Sequence, residues 1–157
     1  MSGFRRGVRL GIDVGTARVG VARCDRDGLL AVPVETVPRS EAAVSRVAEL
    51  ATEHDAFELL VGLPISLGGN ETSSTADARD FAVALAAAAG LPVRLVDERL
   101  STVSAHAALR SSGRSQRSSR RIVDQVAAVV LLQQAIDVEK STGNPAGPLL
   151  PEPPEPV

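Results

Sequence analysis

Apolar residues in this chain fall in short, dense runs separated by glycine, proline and charged residues. Val8 to Val14, Val19 to Cys24 and Leu29 to Val37 read as three strands. The links Gly15-Thr16-Ala17 and Asp25-Arg26-Asp27-Gly28 are short enough to require antiparallel hairpins. The period changes at Ser40, after which Val44, Val47, Ala48 and Ala51 recur at helical spacing, and a short strand follows over Phe57 to Val61, ending at Gly62-Leu63-Pro64. Beyond the loop SLGGNETSS, Ser74 and Asp77 are read as a capping pair for a helix over Thr75 to Ala89, closed by Gly90, and Val93 to Val96 as the next strand. Ser101 opens a further helix, the Ser/Arg segment from Ser111 to Arg121 interrupts the pattern, and a long apolar helix runs from about Arg121 to Val138.

A strand meander followed by strands alternating with helices predicts an α/β domain of three layers. Its sheet is mixed and five-stranded, three antiparallel strands and then parallel ones, with helices on its faces. Residues 1–140 form this domain; from Ser141 to Val157 the chain carries six of its ten prolines without any period, which predicts a disordered or PPII-like tail.

Composition narrows the function. The length of 157 residues suits one domain with a real core. The absence of Trp and Tyr leaves three Phe as the only aromatic platforms for base stacking. The single cysteine, Cys24, excludes an intrachain disulfide and reads as a small buried thiol. No apolar run is long enough to span a bilayer, and MSGFRRGVRL lacks a signal-peptide core, so a cytoplasmic protein without membrane contact is expected. The formal charge of −2 comes from Glu152 and Glu155 in the tail. The arginines instead gather locally, at Arg5, Arg6 and Arg9 and at Arg110, Arg114, Arg117, Arg120 and Arg121.

In open sheets ligands gather beyond the carboxyl ends of parallel strands, and three acidic positions converge there. Strand alternation puts Val8, Leu10, Ile12 and Val14 on one face and Arg9, Gly11, Asp13 and Gly15 on the other, so Asp13 stands between glycines that leave room for a cation or phosphate. Asp97 and Glu98 end the strand in LPVRLVDERLST, and Asp124 lies near the start of the long helix. Taken singly, each has a plainer reading: a turn aspartate, an ion-paired acid, a first-turn residue favoured by the helix dipole. Together, carboxylates at one sheet edge would repel one another unless cations sat between them, which points to an oxygen-ligand Mg²⁺ or Mn²⁺ site. Five arginines within twelve residues next to it point to a nucleic-acid partner, with Arg114, Arg117, Arg120 and Arg121 on substrate phosphates; a solvated loop is the alternative.

GIDVGTARVGVA, VGLPISLGG, DERLST and VDQVAAVVLLQ, in this order and spacing, resemble the motifs of the YqgF (RuvX) family over roughly Val8 to Ile136. The resemblance implies an RNase H-like fold and a nuclease associated with Holliday-junction resolution and with maturation of the 5′ end of pre-16S ribosomal RNA. It implies that Asp13, Glu98 and Asp124, with Asp97 adjacent, hold two divalent cations for in-line displacement at phosphorus, yielding 5′ phosphates. It also places Arg18 and Arg99 near the site as phosphate ligands and lets Thr16 and Ser101 add hydroxyl contacts. The chain departs from the family in its Ser/Arg-rich segment and proline tail. GIDVGT is also similar to the first phosphate loop of actin-like ATPases and sugar kinases, but those enclose a nucleotide between two such domains, and this chain has neither the length nor the repeat for that. A noncatalytic RNA-binding domain is the other alternative. Symmetric junction resolution would require a homodimer, whereas trimming an RNA end suits a monomer.

Overall fold

The structure is a computed structural model that describes residues 3–66, 68–98 and 116–150, with the side chains of residues 116–124 outside the described part. Three strands open it: β1 (Val8–Val14), β2 (Arg18–Cys24) and β3 (Ala31–Pro38). Helix α1 (Ala43–Glu53), β4 (Ala56–Leu63), α2 (Ser73–Ala89), β5 (Val93–Asp97), α3 (Gln116–Thr142) and β6 (Leu149–Leu150) follow. The sheet order is β3-β2-β1-β4-β5-β6, with β1–β2 and β2–β3 antiparallel and β1–β4 and β4–β5 parallel. The meander and the parallel continuation are those expected from the hydrophobic pattern.

Both faces of the sheet are covered. Leu10, Ile12 and Val14 of β1 join Val47 and Leu50 of α1 and Phe81 and Leu85 of α2 in one buried cluster. On the opposite face Ala22, Leu60 and Val96 pack against Ala128, Leu131, Leu132 and Ile136 of α3. The helix lies very close to the sheet at Gly11, where a Cβ would stand 2.7 Å from Leu132 Cβ and 2.9 Å from the Ala128 carbonyl oxygen, so only glycine admits it there.

Four expectations change. The sheet has a sixth strand: Leu149 and Leu150 pair antiparallel with Arg94 and Val93. The tail expected from Ser141 is therefore structured as far as Leu150, because β5 would otherwise present an unpaired edge; Leu95 N donates to the Pro148 carbonyl at 3.0 Å, and Arg94 Nη1 to that of Gly147 at 2.8 Å. Residues 151–157 lie outside the described residues. The cap of α2 is Thr72 with Thr75, not Ser74 with Asp77, because Asp77 is engaged by Arg39 from the β3–α1 link. Finally, α3 begins at Gln116, so Arg117, Arg120 and Arg121 belong to its first turns and not to a connecting loop. The helix expected after Ser101 lies outside the described residues. Gly90 closes α2 in the left-handed conformation, φ 65°, as anticipated.

Candidate active site

Asp13 sits one residue from the end of β1, on the face toward α3 that it shares with Gly11. Its cross-strand partner on β2 is Gly20. On the other side, β1 and β4 run in register through Ile12 and Val61, which brings Gly62 alongside Asp13. The acid is thus flanked within the sheet by two residues without side chains. Gly62 makes space for a second acid: a Cβ there would stand 2.5 Å from Glu98 Oε1 and 2.6 Å from its Cγ, so the Glu98 side chain lies directly over Gly62. The Glu98 amide continues the ladder by donating to the Leu63 carbonyl at 3.0 Å, which fixes the residue just beyond β5.

Glu98 is 7% exposed. Burial, a hydrogen bond with Asp13 and the charges of Asp13 and Asp97 push its carboxyl up to about 10. The same contacts favour the protonated form of Glu98 beside Asp13. Asp97 is exposed at the strand end.

The helix supplies the third position. Arg9 Nη2 contacts Glu139 Oε2 at 2.8 Å at one end of β1, while Gly11 faces Ala128 and Leu132, so α3 runs antiparallel to β1. One turn before Ala128 its backbone reaches Asp124, level with Asp13. The neighbouring Gln125 marks that level independently, because its Nε2 donates to Thr36 Oγ1 at 2.8 Å and Thr36 is aligned through Gly20 with Asp13. The Asp124 side chain is outside the described part. Among the described residues no three His, Cys, Asp or Glu side chains come together as a metal-binding group.

Of the other expected residues, Arg18 begins β2 two residues before Gly20, on the Asp13 face, and lines a groove with Thr36 and Gln125. Thr16 is exposed in the β1–β2 turn. Arg99 and Arg114 lie outside the described residues, as do the side chains of Arg117, Arg120 and Arg121. Cys24 is a buried free thiol, its ionisation opposed by burial. Two features escaped the sequence reading. One is the placement of Gly20 of β2 and Gly62 of β4 on either side of Asp13, visible only once register is known. The other is Arg39, which grips the turn after Asp13: its Nη1 donates to the Gly15 carbonyl at 2.9 Å and its backbone N to that of Ala17 at 2.9 Å. Asp77 holds the guanidinium with two bonds of 2.8 Å.

Comparison with known proteins agrees with this architecture. The family described as RuvX: Holliday junction resolvase matches residues 7–138. A relative from Leifsonia xyli is 58% identical over 146 residues, covering 92% of this chain and 94% of its own length. One from Clavibacter michiganensis is 56% identical over 151 residues, covering 94% of each, and one from Streptomyces coelicolor is 51% identical over 147 residues, covering 92% and 88%. All three carry the name "Putative pre-16S rRNA nuclease". Among solved structures, Thermus thermophilus RuvC in complex with a Holliday junction substrate superposes with a TM-score of 0.54 over 88% of this chain and 99% of its own, at 18% identity, a likeness of fold. With a family match along most of its length and relatives above half identity over nearly all of it, the chain belongs to the RuvX Holliday junction resolvase family.

Proposed function

We propose that this protein is a divalent-metal-dependent nuclease that hydrolyses phosphodiester bonds in structured nucleic acid, processing the 5′ end of pre-16S rRNA in the cytoplasm, with DNA junctions as a further substrate. The observation that carries this reading is the buried Glu98 carboxyl lying over Gly62 and sharing a hydrogen bond with Asp13. Two acids forced together at the end of parallel strands are unfavourable in themselves, and a cation between them relieves the repulsion.

Asp13, Glu98 and Asp124, with Asp97 adjacent, would hold Mg²⁺ or Mn²⁺, all as oxygen donors. When bound, these ions supply activation of a water and stabilisation of the leaving 3′ oxygen. The protein's own part is to hold the carboxylates where the sheet has no competing side chains. Arg18, Arg99, Arg114, Arg117, Arg120 and Arg121 hold substrate phosphates, and the exposed Thr16 hydroxyl bonds a phosphate oxygen.

The test is incubation of purified protein with labelled precursor rRNA and with a four-way junction, with Mg²⁺ or Mn²⁺ or with chelator, while oligomeric state is followed. Cleavage that requires the ion and leaves 5′ phosphates is expected, on the RNA by a monomer and on the junction only by a dimer. Binding without cleavage under all conditions would contradict the reading and leave an RNA-binding module.

A further inference from the structure

A polar groove of about 470 Å³ opens beside the acids, lined by Arg18, Val34, Glu35, Thr36, Pro38 and Gln125. Strand register fixes its relation to Asp13: Thr36 pairs with Gly20, and Gly20 pairs with Asp13. At a strand spacing of ~4.8 Å, the Thr36 backbone lies about 10 Å from that of Asp13, within reach of a nucleotide next to the one being cut. The residue between them on β2 is Gly20, which puts no side chain at that position.

The groove is built around one hydrogen bond, from Gln125 Nε2 to Thr36 Oγ1 at 2.8 Å. That bond uses neither the hydroxyl proton of Thr36 nor the amide oxygen of Gln125, so the pair carries a donor and an acceptor side by side. A ribose 2′-hydroxyl both accepts and donates and matches them, whereas deoxyribose offers neither function. The acid in the groove does not repel a nucleic acid strongly, because the Glu35 carboxylate is held by Arg46 of α1 at 2.8 and 2.9 Å. Arg18 adds positive charge at the same groove.

We propose that Thr36 and Gln125 form a ribose subsite that reads the 2′-hydroxyl of a nucleotide flanking the scissile phosphate, making the protein prefer RNA to DNA at that one position. The inference rests on the reading of Asp13 and Glu98 as the cleavage centre.

The experiment walks a single 2′-deoxy substitution along a precursor RNA on both sides of the cut and measures kcat/KM at each position, for wild type, Thr36→Val, Thr36→Ser and Gln125→Leu. For wild type, one flanking position should lose about tenfold, on the scale of one or two hydrogen bonds, while the others change little. Thr36→Val should bring the ribose-to-deoxyribose ratio there close to one, and Thr36→Ser should retain it. Should Thr36→Val fail to fold by circular dichroism, Gln125→Leu carries the same expectation. A wild type indifferent to deoxyribose at every flanking position, or a folded Thr36→Val or Gln125→Leu protein that still discriminates, overturns the subsite. A wild type that cuts none of these RNAs contradicts the nuclease reading instead. Binding affinities for the same oligonucleotides then decide the subsite: a single-position loss supports it, and a flat profile overturns it.

Discussion

Asp13 and Glu98 meet because of what Gly62 lacks. Replacing Gly62 by alanine would put a methyl group 2.5 to 2.7 Å from Glu98 Oε1, Cγ and Cδ, a distance that forces the carboxylate aside. If Glu98 acts in cleavage as proposed, Gly62→Ala should lower kcat by at least about tenfold, since a displacement of this order misplaces the carboxylate, while the melting temperature changes little; kcat and a thermal melt on one preparation check this. A variant of full activity would show that Glu98 has no need of its present position. The acids themselves were legible in the sequence, because a carboxylate inside an apolar strand and a pair at a strand end contradict the pattern around them. Gly62 was legible only as part of a turn: its role depends on which residue of β4 lies beside Asp13, and strand register is a property of the assembled sheet.

At the level of elements, the turn between β1 and β2 is held from outside by Arg39, itself fixed by Asp77 of α2. The link joins three elements that the sequence presents far apart, which is why Asp77 read as a local capping residue. Asp77→Asn and Arg39→Gln should each loosen the Gly15–Ala17 turn and lower kcat/KM by about fivefold, through misplacement of the residues after Asp13. The double variant should be no worse than either single one, since both remove the same clamp. Additive losses in steady-state kinetics would show that the two residues act separately. The other local misreadings have the same origin. Leu149 and Leu150 form a strand because β5 offers an edge, and α3 begins at Gln116 although its first turns are polar, so its apolar period starts later than its backbone does.

Across the whole molecule, the end of β1 opposite Asp13 is tied by a buried ion network. Arg5 contacts Glu58 at 3.0 Å and Glu139 at 2.7 Å, Arg9 contacts Glu139 at 2.8 Å, and Arg94 contacts Glu58 at 2.9 Å. Arg5 and Arg9, which the sequence offered as part of a basic cluster, thus hold the N-terminal segment, β4, β5 and α3 together, while the acids sit at the other end of the sheet. Glu139→Gln should cost about 3 kcal/mol in urea unfolding, because it leaves buried arginine charge without its partner. Burial works to raise the Glu139 carboxyl, but Arg5 and Arg9 outweigh it and hold it below the ordinary 4.5. The unfolded chain therefore binds that proton more readily. The stabilisation is present above pH 4.5 and is lost as pH falls through the depressed folded value, so Glu139→Gln should flatten the acid limb of stability against pH. An acid limb unchanged from wild type would place the acid sensitivity elsewhere. The central claim is that Asp13 and Glu98 bind the ion used in cleavage, and its most direct test is Asp13→Asn, in which shape is kept and charge is lost. Mn²⁺ binding by electron paramagnetic resonance and turnover of precursor RNA, measured on the same folded sample, should both be lost, turnover by about a thousandfold or more; an Asp13→Asn protein that still binds Mn²⁺ and cuts at the wild-type rate would contradict the claim.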